Sequence, residues 1–372
     1  MKKIITIIGA RPQIIKAAAI SRAIKNDFSE KLKEIIVHTG QHYDAKMSGD
    51  FFEELNIPAP NYQLSISGTL QGAQTGDMMR EIELVLVKEK PDAVLVYGDT
   101  NSTLAGALVA AKLSLPVVHI EAGLRSFNKN MPEEINRITT DHCSALLFSP
   151  TKEGVKNLIA EGIIHVVGKH EVYHCGDVMY DNSLYFNKLA LTKSKVLLES
   201  GVIKGEFNLV TCHRPSNTDN KENLASIINS LREINKIDEK KIVFPMHPRT
   251  EKMIVKFFGT EFLKNLKSEW TILPPVSFLD MILLESSSNI IITDSGGVQK
   301  EAYFFFKKSI ILREETEWVE IIENNGGILT GPNGDKIIDA YHNLNDLDCT
   351  FEKVFGNGKA AEFICDKILK AI

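Results

Sequence analysis

Residues 93–123 have the sequence AVLVYGDTNSTLAGALVAAKLSLPVVHIEAG, and this stretch decides the fold class. Two apolar runs, 93–97 and 117–120, enclose the Ala-rich segment 104–113, which is typical of a helix. Apolar runs without polar alternation predict parallel strands that are buried on both faces. The stretch therefore predicts a strand, a helix and a second parallel strand, the repeating unit of an α/β sheet.

The same alternation of strands and helices extends over the chain and restarts near residue 176. Further strands are predicted at 4–8, 35–39, 146–148, 209–211, 242–244, 290–293 and 310–312. A chain of 372 residues is long for one hydrophobic core, which rarely grows beyond about 250–300 residues. We therefore predict two α/β domains, residues 1–175 and 176–357, followed by a C-terminal helix over 358–372.

Composition excludes several classes of protein. The chain carries 43 Lys and Arg against 48 Asp and Glu, a net charge of −5, so it lacks the basic surplus of a non-specific nucleic-acid binder. Its five cysteines form no CxxC pair, which argues against a zinc ribbon or a disulfide framework and favours the reducing cytoplasm. No uncharged apolar run reaches the roughly 18 residues of a membrane span.

The sharpest local signal is the sequence DSGG at 294–297, where a predicted strand ends and a helix begins. The N–H groups at a helix start, together with glycines that allow close approach, favour anion binding. Ser295, Gly296 and Gly297 are therefore candidate ligands of a phosphate, and Glu301 is a candidate acceptor for a ribose hydroxyl. The alternative is a plain helix cap with no ligand.

A second candidate anion site lies in GARPQIIK at 9–16. Pro12 suits the first turn of a helix, and Arg11 beside that helix start is a natural partner for phosphate. Lys16 on its own is more typical of a solvated helix residue.

Three acidic residues are candidates for proton transfer, namely Asp99, Glu121 and Glu133. The first two end predicted neighbouring strands, and paired carboxylates can acquire the different pKa values that an acid and a base need. Two structural alternatives remain open: Asp99 caps the following helix, or Arg125 and Arg137 simply pair with these acids.

Histidine–arginine pairs follow two predicted strands of the second half. His213 and Arg214 come after one strand, and His247 and Arg249 after the next. Histidine at such a position suits proton transfer or phosphate contact, although a local hydrogen bond explains a single histidine equally well.

Together these residues form a pattern that resembles the non-hydrolysing UDP-N-acetylglucosamine 2-epimerase family over nearly the whole chain. The motifs that carry the resemblance are GARPQIIK (9–16), GQH (40–42), YGDTNSTLAG (97–106), HIEAGLRS (119–126), MPEEINR (131–137), CHR (212–214), DSGGVQKEA (294–302), LREETEW (312–318) and FGNGKA (355–360).

The resemblance implies a glycosyltransferase-B-like fold, with two Rossmann-like domains facing across a cleft and the C-terminal helix packed on the first. It implies reversible inversion of C2 in a UDP-2-acetamido sugar by elimination and re-addition of UDP, without NAD or metal. It further implies a cytoplasmic homodimer that serves surface polysaccharide synthesis. The catalytic candidates are then Asp99, Glu121, Glu133 and His213. The substrate-binding candidates are Arg11, Lys16, Arg137, Arg214, His247, Arg249, Ser295, Gly296, Gly297, Glu301 and Arg313.

The chain departs from the family pattern at several positions. Gln13 replaces a carboxylate, and residues 315–320 are ETEWVE in place of a sequence with an Arg-Pro pair. Tyr43 and residues 66–72 lack the residues expected of an activating UDP-sugar site, so the resemblance does not carry that site over. The first two departures favour the subgroup acting on UDP-2,3-diacetamido-glucuronate or related sugars.

Other functions compatible with the motifs are a hydrolysing 2-epimerase, a nucleotide-sugar glycosyltransferase and a nucleotide-sugar sensor without catalysis. The acidic residues argue against the sensor, because a sensor does not need them.

Overall fold

A computed structural model describes residues 1–40, 57–66, 70–238, 240–344 and 346–372. These residues form two compact units, Met1–Asn182 with Lys353–Ile372, and Ser183–Glu352. The units meet within one helix, whereas the sequence predicted the division just before it. No Gly-, Ser- or Pro-rich linker separates the two units in the sequence, so the composition does not indicate where the boundary lies.

The first unit is built on a parallel sheet. Its strands are β1 (Lys2–Ile8), β2 (Leu32–His38), β3 (Tyr62–Gln63), β4 (Ala93–Tyr97), β5 (Val117–Ile120), β6 (Leu146–Ser149) and β7 (Glu171–His174). Its helices are α1 (Arg11–Ala23), which continues into a short π-helix (Ile24–Phe28), α2 (Gln71–Glu89), α3 (Asn101–Lys112), α4 (Pro132–Cys143), α5 (Lys152–Ala160), the start of α6 (Val178–Lys193) and the C-terminal α16 (Ala360–Ala371).

Within the described residues the strand order of this sheet is β3-β2-β1-β4-β5-β6-β7. This order places a topological switch between β1 and β4, where the connections leave in opposite directions. Apolar residues of β1 and β4, such as Ile5 and Val94, pack with Met78 and Ile82 of α2. Each such buried side chain stabilises the fold by about 1.5–3 kcal/mol. The C-terminal helix α16 packs against α1.

The second unit repeats this plan. Its strands are β8 (Phe207–Thr211), β9 (Lys241–Pro245), β10 (Thr271–Leu273), β11 (Ile291–Thr293), β12 (Ser309–Ile311) and β13 (Gly327–Leu329), in the order β10-β9-β8-β11-β12-β13. Its helices are the rest of α6, α7 (Val196–Ser200), α8 (Pro215–Thr218), α9 (Lys221–Ile237), α10 (Pro248–Phe258), α11 (Thr260–Glu269), α12 (Phe278–Ser287), α13 (Gly296–Phe304), α14 (Val319–Glu323) and α15 (Gly334–Leu344).

Both sheets are parallel and of Rossmann type, which confirms the predicted fold class. The strands predicted from apolar runs are present. Four short strands were not predicted, β3, β7, β10 and β13, and each lies at the edge of its sheet. No helix in the described ranges is long and apolar enough to cross a membrane.

Candidate active site

The end of β4 places Asp99 beside Arg137 of α4. Arg137 Nη1 donates to Asp99 Oδ2 at 2.5 Å, and Asn136 Nδ2 donates to the Asp99 carbonyl at 2.9 Å. The cap of α3 is Thr100, so the Asp99 carboxylate is not the cap. Burial raises the pKa of Asp99, although Lys16 and Arg137 lower it. A carboxyl group with a raised pKa is suited to exchanging protons.

Glu121, directly after β5, has a left-handed backbone with φ of 75°. Residues other than Gly rarely adopt this conformation, and here the N–H groups of Glu121 and Ala122 both donate to the Phe148 carbonyl at 3.0 Å. The Glu121 side chain forms an ion pair with Lys16 of α1, and both side chains are only 13% exposed. Lys16 is therefore not the solvated helix residue that its position alone suggested.

Glu133 and Glu134 begin α4 but have different surroundings. Glu133 is exposed, and its charge helps to raise the pKa of Asp99. Glu134 is buried and accepts the Ser126 N–H at 2.9 Å and the Arg137 Nη2–H at 2.8 Å. The sequence analysis missed Glu134, which fixes the guanidinium that holds Asp99.

The start of α13 in the second unit lies among cationic side chains. Ser295 caps the helix by accepting the Val298 N–H. A methyl group built on Gly296 would lie 3.6 Å from Arg313 Nη1 and 3.9 Å from Arg214 Nη2. Gly297 follows directly. Helix N–H groups and two guanidinium groups together make a suitable site for a phosphate.

Arg313 of this site is also paired with a carboxylate. Its Nη1 and Nη2 donate to the two oxygens of Glu317 at 2.9 Å each. Burial raises the pKa of Glu317, but the positive charges of Arg313 and Arg214 lower this pKa by a larger amount, so the net shift is downward. Glu317 therefore offsets part of the positive charge next to Gly296, and it was not among the predicted site residues.

The loop after β8 is fixed by the fully buried Asp294. Its carboxylate accepts the N–H groups of His213 at 3.0 Å and Arg214 at 2.9 Å. The rings of His213 and His247 lie 5.6 Å apart, centroid to centroid. Burial, with the nearby charges of His213 and Arg249, lowers the pKa of His247. His213 and His247 therefore lie close to each other, as their positions after neighbouring strands suggested. Asp294, the first residue of the DSGG motif, has a structural role.

Two of the predicted cations are exposed. Arg249 forms a two-point ion pair with Asp219, and both side chains are exposed to solvent. Arg11 is the exposed first residue of α1. Gln41, His42, Tyr43 and residues 67–69, which belong to the loops singled out in the sequence, lie outside the described residues.

Glu301, the predicted ribose ligand, lies near a second carboxyl group. Glu285 of α12 is fully buried, and burial together with the neighbouring Glu301 of α13 raises the pKa of Glu285 well above its usual value. Of two neighbouring carboxyl groups, the one with the raised pKa keeps its proton while the other ionises. No sequence pattern pointed to Glu285, since it lies in an apolar helix 16 residues before Glu301.

The family model for UDP-N-acetylglucosamine 2-epimerases matches residues 23–369. The chain belongs to the UDP-N-acetylglucosamine 2-epimerase family. It is therefore an enzyme, an isomerase of the UDP-sugar 2-epimerase class.

Relatives in this epimerase family match along the whole chain. A UDP-N-acetylglucosamine 2-epimerase homolog of Methanococcus maripaludis is 49% identical, covering 96% of this chain and 97% of its own. The UDP-2,3-diacetamido-2,3-dideoxy-D-glucuronate 2-epimerase of Pseudomonas aeruginosa is 47% identical, covering 99% of each chain. The Methanocaldococcus jannaschii UDP-GlcNAc 2-epimerase, solved in complex with UDP-GlcNAc and UDP, superposes with a TM-score of 0.85 at 43% identity, covering 99% of each chain.

The epimerase fold also matches a more distant structure, Acinetobacter baumannii MurG, with a TM-score of 0.54 at 11% identity. At this identity the match shows only the fold, that is, two Rossmann-like domains of the glycosyltransferase-B-like class, as predicted from the sequence.

Proposed function

We propose that this protein interconverts UDP-N-acetylglucosamine and UDP-N-acetylmannosamine by inverting C2 of the sugar. The observation that carries the proposal is the pair of carboxylates at the ends of β4 and β5. Asp99 is paired with Arg137, and Glu121 with Lys16. The M. jannaschii relative, which is bound to UDP-GlcNAc and UDP, supports the choice of nucleotide sugar.

In the proposed reaction a carboxylate removes the C2 proton while the bond from C1 to the UDP oxygen breaks. The products of this step are a 2-acetamidoglucal and UDP. UDP then adds back to C1, and a proton is delivered to the opposite face of C2, so atoms and charge balance over the cycle. The different pairing of Asp99 and Glu121 supports separate roles in taking and returning the proton.

The C2 proton is only weakly acidic, so departure of UDP has to be assisted. We assign this role to the second unit, where the start of α13 offers N–H groups beside Arg214 and Arg313. His213 adds a further donor, and Asp294 fixes its backbone. Donors of this kind stabilise the negative charge that develops on the leaving phosphate.

A second candidate substrate is UDP-2,3-diacetamido-glucuronate, the substrate in the name of the P. aeruginosa relative. It is favoured by the two sequence departures. Gln13 is fully hydrogen-bonded in place of the family carboxylate. Trp318, in the altered 315–320 segment, is buried against the Lys300 ammonium, 4.0 Å from the ring centroid.

The experiment that tests the proposal is product analysis by phosphorus and proton NMR after incubation with each UDP-sugar separately. Formation of the UDP-manno epimer supports the proposal, and the ratio of kcat/KM between the two sugars identifies the preferred substrate. Release of free UDP with free sugar shows a hydrolysing enzyme. Transfer only in the presence of an acceptor shows a glycosyltransferase.

We also propose that the enzyme works as a homodimer in the cytoplasm, on the strength of the family resemblance and the unpaired cysteines of the described chain. Light scattering on the purified protein tests the dimer, because a dimer has twice the mass of one chain.

A further inference from the structure

The buried histidine of β5 has acceptors at both ring nitrogens. His119 is 0% exposed. Its Nε2 lies 2.8 Å from the Gly98 carbonyl, and its Nδ1 lies 2.7 Å from Asp141 Oδ1. A carbonyl oxygen only accepts hydrogen bonds, so Nε2 must carry a proton.

The state of Asp141 decides whether Nδ1 also carries a proton. Its other oxygen accepts from Arg125 Nη2 at 2.7 Å and from the Gly123 N–H at 3.1 Å. Both of these groups only donate, so this oxygen carries no proton. The single proton between Asp141 Oδ1 and His119 Nδ1 then lies on the imidazole, because the Arg125 guanidinium favours the ionised form of the Asp141 carboxylate.

We infer that His119 is held as an imidazolium ion and acts as a positioning residue for the loops that carry Asp99 and Glu121. The positioning role rests on the proposed function, whereas the protonation state does not.

A buried cation of this kind requires balancing charge. Arg125, beyond Asp141, also donates from Nε and Nη2 to the two oxygens of Glu161 at 2.7 Å each. The cluster therefore contains two cations and two carboxylates, and its charges sum to zero. His142 lies at its edge, with Nε2 3.6 Å from Glu161 and a half-exposed ring. Pairing and full hydrogen bonding are the conditions under which charges are tolerated in a protein interior.

The cluster touches both loops of the proposed proton-transfer site. Nε2–H of His119 holds the carbonyl of Gly98, the residue before Asp99. Asp141 holds the N–H of Gly123, two residues after Glu121. Gly98 and Gly123 both have positive φ, 61° and 82°, so each bond fixes a turn that the backbone does not adopt by default.

A second buried histidine of the same sheet shows the opposite arrangement. Nδ1 of His38 accepts the Gly40 N–H at 3.1 Å, so this nitrogen carries no proton. Burial lowers the pKa of His38 to about 4. His38 is therefore neutral and provides an internal reference for His119.

The protonation state is tested by long-range proton–nitrogen correlation spectra of the full-length protein labelled with nitrogen-15 histidine, recorded near neutral pH. His119, assigned from the spectrum of His119→Gln, should show two protonated nitrogens of similar shift. His38 should show one protonated and one unprotonated nitrogen with widely separated shifts. An unprotonated nitrogen on His119 in these spectra would overturn the inference.

The positioning role is tested with Asp141→Asn and His119→Gln. Displacement of the two carboxylates by about an ångström should lower kcat on the order of a hundredfold. KM and the affinity for UDP should change less than about twofold, because the phosphate site is in the other unit. In Asp141→Asn one His119 nitrogen should also lose its proton. A merely structural role would lower stability without this spectral change or the split between kcat and KM.

The matched control is His170→Gln. His170 is half-buried on the same unit, and its Nδ1 lies 3.1 Å from the Ser144 carbonyl, outside the cluster. It should retain kcat. Full activity of both cluster variants would overturn the positioning role. A wild-type protein that is inactive on every UDP-sugar would overturn the proposed function and leave the spectra to decide the charge of His119.

Discussion

At the scale of single residues, Asp99 and Glu121 have different environments although they follow neighbouring strands. Asp99 has an arginine partner and a raised pKa, whereas Glu121 has a lysine partner and a left-handed backbone. Strained backbone and perturbed carboxyl groups cluster at catalytic sites, because the rest of the fold supports conformations that the chain would otherwise avoid. This difference gives a direct prediction for pH dependence.

Arg137→Gln should move the acid limb of the kcat/KM profile to higher pH. Arg137 lowers the pKa of Asp99, so its removal raises that pKa further. Asp99 must be ionised to accept a proton, and activity is lost as the pH falls through its pKa. Arg80→Gln, an exposed arginine of α2, is the control and should leave the limb in place. An unchanged limb in Arg137→Gln would exclude Asp99 as the titrating group.

Gln13→Glu should destabilise the protein. Gln13 Nε2 donates to the Tyr97 carbonyl at 3.0 Å and to Thr103 Oγ1 at 2.9 Å, and a carboxylate has no donor to replace either bond. A buried acceptor facing a carbonyl costs about 1–3 kcal/mol. Urea denaturation measures the loss, and Gln74→Glu, a partly exposed residue of α2, serves for comparison. Equal stability of Gln13→Glu and wild type would contradict this explanation of the family departure.

At the scale of elements, helix α4 buries charged side chains and exposes an apolar one. Glu134, Arg137 and Asp141 of this helix are buried, whereas Ile135 is 50% exposed. Their spacing of three and four residues puts the charged groups on one face, and this spacing was the available signal for Glu134 and Asp141. Helices are usually identified from their apolar faces, and a buried face of charged residues does not fit that pattern. Arg137 was therefore predicted only from its motif, and Glu134 and Asp141 were missed.

Helices α12 and α13 place the carboxyl groups of Glu285 and Glu301 near each other, and the raised pKa of Glu285 predicts that it stays protonated. Glu285→Gln keeps a hydrogen-bond donor near Glu301 and should keep the affinity for UDP. Glu285→Leu removes this donor and should weaken UDP binding about fivefold to tenfold, which corresponds to the free energy of one hydrogen bond. Wild-type affinity should decline at alkaline pH as Glu285 loses its proton, and the Gln variant should not show this decline. Calorimetry across pH measures both effects. Identical pH dependence in the two proteins would contradict a protonated Glu285.

Asp181 of α6 connects the C-terminal helix α16 to the first unit. Its Oδ2 accepts the Ala361 N–H at 2.8 Å, and burial raises its pKa to about 7 although backbone N–H groups lower it. The folded-state pKa exceeds the unfolded value, so this stability is present below about pH 4 and is lost as the pH rises to about 7. Asp181→Asn should match wild type near pH 4 and exceed it near pH 8 by about 4 kcal/mol. Parallel curves of unfolding free energy against pH would contradict this account.

At the scale of the whole molecule, the sequence predicted the sheets better than the details of the site. Buried parallel strands are continuous apolar runs, so these strands can be located in the sequence and placed in order along the chain. Short edge strands such as Gly327–Leu329 lack such a run. Candidate residues at strand ends were found because parallel strands bring their carboxyl ends together. Partners such as Glu285 and Glu317 were missed because their contacts arise only when distant helices and loops pack.

The carboxylates of the first unit are proposed to move the C2 proton of the sugar. Glu121→Gln should retain the fold and the affinity for UDP while losing at least about a hundredfold in rate. Glu153→Gln, an exposed glutamate of α5, is the matched control and should keep the wild-type rate.

The measurement that tests this claim most directly is deuterium incorporation at C2 in deuterated water, followed by NMR on UDP-N-acetylglucosamine. Wild-type enzyme should exchange the C2 proton for solvent deuterium as the manno epimer forms, and Glu121→Gln should not. Epimerisation that leaves the C2 deuterium content unchanged, or full exchange by Glu121→Gln, would contradict it.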